Sequence, residues 1–314
     1  MAKAVVRLLR SAGRQGRCAI FQAPVVSPMT FRGCSAPTTH HRLRLSVWLD
    51  LRILDPDRMG KRDVREDNAE EIEHIDRGII SINDISFNFQ NYNLTRLTLS
   101  HNKLSSIPQN ISELVNLEVL TLWNNLIEEL PTSISSLPRL RCLNVGMNRL
   151  TILPRGFGSC PSLEVLDLTY NNLSERSLPG NFFFIRTLRA LYLSDNDFEY
   201  FPADVEHLKN LQILALREND LLELPAELGS LPKLRELHIQ GNRLRMLPPE
   251  MGKLDLVGPK QLHNGGATAF WEYIRSSENY QFIYGKECAA QSPVPAKNPN
   301  HSKKICRLPA KPVC

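Results

Sequence analysis

The chain has 314 residues, of which 42% are apolar and 23% charged, the balance of a folded water-soluble protein. No apolar run reaches the roughly 20 residues that a membrane-spanning helix needs, so an integral membrane protein is not expected. The net charge of +5 is concentrated at the ends: Met1 to Leu49 holds seven Arg, one Lys and no carboxylate. It therefore reads as solvated basic termini rather than a nucleic-acid surface.

Residues 1–65 come first in chain order. Their Arg-rich, acid-free start is shared with mitochondrial transit peptides. Helical amphipathicity is poor past Arg10, however, and Pro24, Pro28 and Pro37 interrupt it, so the segment reads as a disordered extension with mitochondrial targeting as the alternative. A secretory signal is opposed by the arginines that cut VVRLLR before an apolar core can form. Residues 66–93 keep apolar periodicity without a consensus, as a terminal capping unit would.

From Leu94 to Leu256 the pattern LxxLxLxxN recurs seven times, with closing asparagines at Asn102, Asn125, Asn148, Asn171, Asn196, Asn219 and Asn242. The intervals between them are 23 residues, except for one of 25 between Asn171 and Asn196. Each LxL is expected to be a short strand with its leucines on one face. Each asparagine should turn inward and pair backbone groups whose bare burial costs about 1–3 kcal/mol apiece. A following Leu/Ile-Pro, as in Leu130-Pro131, should open a short helical turn with proline at its first position. Strands inside and helical turns outside bend such a stack into a leucine-rich-repeat horseshoe, an α/β solenoid with a parallel sheet on its concave face. Seven strands about 4.8 Å apart span roughly 30 Å.

Residues 257–287 carry an aromatic set (Phe270, Trp271, Tyr273, Ile274, Tyr280, Ile283, Tyr284) expected to be a helix closing the far end. Residues 288–314 are Pro- and Lys-rich and read as disordered.

Chemistry is sparse. There is no P-loop, GxGxxG, HExxH or GxSxG, and Asp195-Asn196-Asp197 lacks the glycine and distal glutamate of a calcium loop. Seven cysteines form no CxxC pair and do not bracket the repeats, which fits a reducing compartment; Cys142 and Cys160 read as packing thiols. Neither catalysis, a metal nor a cofactor is expected. Four Asn-x-Ser/Thr sites, at Asn93, Asn110, Asn172 and Asn300, would matter only in a secreted recognition module.

That leaves the concave face. The residue between the two strand leucines and the two residues after the second are expected to point outward. These three columns place Asp167, Tyr170, Tyr192, Asp195, Arg217 and Glu218 together in repeats four to six, with Trp123 nearby. Aromatic and arginine anchors beside acids are the composition of a protein-binding hot spot.

The segments LSHNKL, PRGFGSCPSLEVLDLTYNNLSERSLPGNFFFIRTLRALYLSDNDFE and ELHIQGNRLRMLPPEMG resemble the Ras suppressor family of cytosolic leucine-rich-repeat proteins. The two-residue lengthening before Leu178-Pro179-Gly180-Asn181-Phe182-Phe183 is that family's mark. The resemblance implies a monomeric adaptor in a hetero-complex at cell–matrix adhesions. Its partner would be the LIM-domain adaptor PINCH and, through it, integrin-linked kinase and parvin, with a link to Ras signalling. It implies that Asp167, Tyr192 and Arg217 contact the LIM domain. Two departures stand out: residues 1–65 lack a counterpart, and Gln261 to Ala269 is shortened, so an Asn-Pro-Trp element is missing from the cap. The alternative function is a regulatory subunit docking a small GTPase, phosphatase or kinase on the same face.

Overall fold

The computed structural model describes residues 70–85, 89–254 and 256. The extension 1–65, the aromatic segment 257–287 and the tail 288–314 lie outside the described residues.

Eight strands form one parallel sheet in strict sequence order. They are β1 (Glu70–Glu73), β2 (Leu94–Thr98), β3 (Val119–Thr121), β4 (Cys142–Asn144), β5 (Val165–Asp167), β6 (Ala190–Tyr192), β7 (Ile213–Ala215) and β8 (Glu236–His238). The sheet is one strand longer than the seven consensus units, because β1 of the unit before Leu94 pairs with β2. Register advances by one repeat per strand, so Leu97, Leu120, Leu143, Leu166, Leu191, Leu214 and Leu237 form one row. From Leu97 to Leu214 every member of that row is 0% exposed, whereas Leu237 in the last strand is only partly buried.

The asparagine row supplies the polar half of the interior. Asn171 is 1% exposed; its Oδ1 accepts from Leu150 N–H at 2.9 Å, and its Nδ2 donates to the Val145 and Leu168 carbonyls at 3.1 and 3.0 Å. Asn125, Asn148, Asn196, Asn219 and Asn242 repeat the arrangement. Asn102 makes the same bonds to the non-consensus unit, accepting from Arg77 and Ile79 N–H and donating to the His74 carbonyl.

On the outer side the chain forms short 3₁₀ turns, such as Gln109–Glu113, Thr132–Ser136, Ala203–His207 and Ala226–Ser230. The prolines of the Leu/Ile-Pro pairs do not occupy the first helical position expected of them, although Pro249 opens the turn Pro249–Lys253. Pro108, Pro131, Pro202 and Pro225 are N-caps in the extended conformation. Each carbonyl accepts from the N–H three residues on, which is the 3₁₀ pattern. With three residues per turn, Ile111 and Leu114 project on the same side, and both are fully buried.

The lengthened repeat holds two such turns, Glu175–Ser177 and Phe182–Phe184. Ser177 ties the inserted turn down, its Oγ donating to the Thr151 carbonyl at 2.6 Å while its own carbonyl accepts from Leu153 N–H at 2.9 Å. The second turn seats Phe182 against Phe157 (centroids 6.3 Å) and Phe183 against Phe201 (6.0 Å), an aromatic seam where the other repeats use leucine and isoleucine. Where the strands begin, Glu164 bridges Arg141 at 2.8 Å and Arg189 at 3.3 Å, linking three successive repeats.

Candidate functional site

Strand alternation sends residues i and i+2 to one face, so the concave surface is built from columns one repeat apart. The column between the leucines runs Thr98, Thr121, Asn144, Asp167, Tyr192, Ala215, His238 across the register of β2 to β8. Asp167 and Tyr192 are direct cross-strand neighbours, and Arg217 lies two residues beyond Ala215, the partner of Tyr192.

Burial divides these candidates. Arg217 is exposed, and Trp123, Tyr170, Asp195 and Glu218 are partly exposed. Asp167 and Tyr192 lie in that outward column, but Asp167 is 0% exposed and Tyr192 8%, so neither is openly accessible there. The physical reason is crowding, since side chains on parallel strands about 4.8 Å apart cover one another on an inward-curving face. Asp167 is also engaged locally: its Oδ1 accepts from Thr169 N–H at 3.0 Å, just as Asn144 Oδ1 accepts from Gly146 N–H at 3.0 Å one strand earlier. It supports the turn that follows the strand.

A further column escaped the sequence reading. The residue before the first strand leucine shares the concave face, giving Arg96, Val119, Cys142, Val165, Ala190, Ile213 and Glu236. Continuing the two-residue alternation one step toward the N-terminus would have found it. Its middle members form an apolar floor, with Cys142, Val165, Ala190 and Ile213 all buried yet outside the interior core cluster. Cys142 thus packs on the concave side while Cys160 belongs to the core. Burial, with Asp167 adding to it and Arg96 opposing, pushes the Cys142 thiol up to about 12; burial pushes Cys160 up to about 12 as well. Both stay protonated at neutral pH, which suits packing rather than nucleophilic attack.

The third column is where the chain leaves the sheet, and its backbone is unusual. His101, Asn124, Met147, Tyr170, Asp195 and Glu218 all have φ between 50° and 60°, and Gly241 has φ 77°. This left-handed geometry, disfavoured for residues with a Cβ, lets each N–H reach the next repeat; Tyr170 donates to the Ser194 carbonyl at 2.9 Å and Asp195 to that of Arg217 at 2.8 Å. Tyr170, Asp195 and Glu218 are thereby held on a rim rather than on a flat strand.

Two glycines shape what lies above them. A Cβ on Gly146 would come within 2.3 Å of the Trp123 ring, so the absence of a side chain lets the indole lie across the neighbouring strand. A Cβ on Gly241 would come within 2.4 Å of the Glu218 carboxylate, which leans over the last repeat in the same way.

Arg217 reaches in that direction too. Its Nε donates to Gln240 Oε1 at 2.9 Å, and its Nη2 lies 2.7 Å from His238 Nδ1. A guanidinium only donates, so Nδ1 accepts and the ring proton sits on Nε2, which faces Glu236 Oε2 at 3.5 Å. Burial, and then the Arg217 charge, lower His238 from 6.5 to about 4. The unfolded chain therefore takes up this proton near pH 6.5 while the folded chain does so only near pH 4. Stability from this group is complete above about pH 6.5 and declines as pH falls toward 4. Urea unfolding between pH 7.5 and 4.5 should show a shallower loss for His238→Gln than for wild type, and identical slopes would disprove the linkage.

Among the described residues no group of His, Cys, Asp and Glu is arranged to hold a metal ion, and no helix is long and apolar enough to cross a membrane.

A leucine-rich repeat region model matches residues 83–179 and 159–258. The chain is 64% identical over 260 residues to Ras suppressor protein 1 of Homo sapiens, covering 78% of this chain and 94% of that protein. Ras suppressor protein 1 of Bos taurus is 63% identical over the same coverage. Among solved structures, a leucine-rich-repeat protein of Leptospira interrogans is 31% identical with a TM-score of 0.42, covering 54% of each chain.

Proposed function

Because the chain belongs to the Ras suppressor protein family of leucine-rich-repeat proteins, we propose that it is a non-enzymatic adaptor whose concave face binds the LIM-domain protein PINCH. In this reading it acts in the cytoplasm at cell–matrix adhesions, joins integrin-linked kinase and parvin through PINCH, and modulates Ras-linked signalling. The observation that supports it most is the accessible set formed by Trp123, Tyr170, Asp195, Arg217 and Glu218, carried on a continuous parallel sheet. A rim and face of aromatic, guanidinium and carboxylate groups can anchor a folded partner, and the sheet beneath keeps their spacing without a binding-induced rearrangement. Asp167 supports that surface from within, through its bond to Thr169 N–H.

Purified PINCH titrated against Arg217→Ala and Tyr170→Ala should bind at least about tenfold more weakly than to wild type, with melting temperatures nearly unchanged, since hot-spot truncations cost about 2 kcal/mol or more. Wild-type affinity in both variants would remove the site from this face. The family name connects these proteins with Ras, so a small GTPase docked directly on the same face is the second reading. It would be favoured if the variants lost a GTPase in affinity capture while retaining PINCH.

A further inference from the structure

We infer that His238 and Gln240, on and just beyond the last strand, are positioning residues that set the direction in which Arg217 is presented to a protein partner. The inference rests on the reading of the concave face as the docking site and adds to it a dependence on repeat seven. Arginine has several rotatable bonds, and an unrestrained guanidinium on an open face loses much of that freedom on binding. Here two acceptors from the next repeat take up two different nitrogens of one planar group, Gln240 Oε1 at Nε (2.9 Å) and His238 Nδ1 at Nη2 (2.7 Å). Two such bonds orient a plane where one would leave it free to swing. The arrangement is braced on both sides. The backbone N–H of Arg217 donates to Ser194 Oγ at 3.2 Å, and Glu236 faces the far nitrogen of the His238 ring at 3.5 Å, matching the tautomer whose Nδ1 accepts. Arg217 itself is exposed, so the orienting contacts leave the group accessible.

Glu236, Leu237, His238 and Ile239 are all only partly buried, whereas every residue of β4 to β7 is buried. The group expected to anchor the partner in repeat six is thus oriented by the least covered of the seven consensus units.

The test is a double-mutant cycle on the full chain, with purified PINCH as the ligand in calorimetric titration. His238→Ala/Gln240→Ala should weaken binding about tenfold, and should weaken it no further when Arg217→Ala is already present, because coupled residues are non-additive. Gln240→Glu, which keeps the acceptor, should bind within about twofold of wild type. Equal losses with and without Arg217 would overturn the inference, since the two residues would then touch the partner themselves. So would unchanged affinity in the double variant. The Arg217 Hε resonance of the free protein separates this inference from the docking reading. If that resonance moves in Gln240→Ala while Arg217→Ala leaves PINCH affinity intact, the orientation holds and the docking reading fails. If it does not move, the orientation fails whatever the affinities show.

Discussion

Asn171→Ala is expected to lower the stability of the repeats by about 1–3 kcal/mol, mostly through the one backbone donor it strands. The Leu150 N–H is bonded to Asn171 Oδ1 in the interior, and alanine leaves it in apolar surroundings without water. The two carbonyls served by Asn171 Nδ2 fare better. Val145 O also accepts from Asn148 Nδ2, and Leu168 O from Asn196 Nδ2, so each keeps a partner. The control is next door: Asn172 is partly exposed outside the row, and Asn172→Ala should stay within about 0.5 kcal/mol of wild type. Urea unfolding followed by circular dichroism compares them, and equal midpoints for the two variants would falsify the structural role of the asparagine row. Because solenoid contacts run mainly between neighbours, the loss should loosen repeats three to five before the ends.

Asp167→Arg is expected to cost about 3–5 kcal/mol, the range for burying an unmatched charge and orphaning a donor. Position 167 is fully buried, flanked across the sheet by Asn144 and Tyr192, and its carboxylate accepts from Thr169 N–H. Arginine has no acceptor for that N–H and far too much volume for the place. Asp167→Asn, by contrast, should hold within about 1 kcal/mol of wild type, because asparagine already makes the equivalent bond at position 144. An arginine variant with wild-type melting behaviour would show that the face opens easily at this strand. The consequence for function is direct: loss of PINCH capture by Asp167→Arg would report a damaged repeat, not a lost contact. Arg217→Ala and Tyr170→Ala are the discriminating substitutions for that reason.

The sequence made the repeat legible because each consensus residue answers to its own local demand. Leucines recur at strand spacing, asparagines recur at the strand exit, and 23-residue intervals put both in phase. The odd interval of 25 residues was equally visible, and it corresponds to an additional 3₁₀ turn, Glu175–Ser177, tied to the preceding repeat by Ser177. Less visible was the strand at Glu70–Glu73, which has no LxL and joins the sheet because β2 offers it a pairing edge. The composition of the candidate face could also be read, since the columns follow from alternation alone.

Exposure within those columns could not. Tyr192 and Arg217 occupy neighbouring outward columns in the linear pattern, yet one is nearly covered and the other open. Burial on a concave sheet depends on what the strands either side contribute, and those residues lie 21 to 25 positions away in the chain. The same distance separates Trp123 from the Gly146 it lies across, and Arg217 from the His238 and Gln240 that orient it. The amino-acid sequence by itself thus determined the repeat, its polar spine and which residues can reach the inner face. Only the stacking of one repeat on the next decided which of them meet solvent, because curvature and close strand spacing turn side chains from separate repeats into one another's cover.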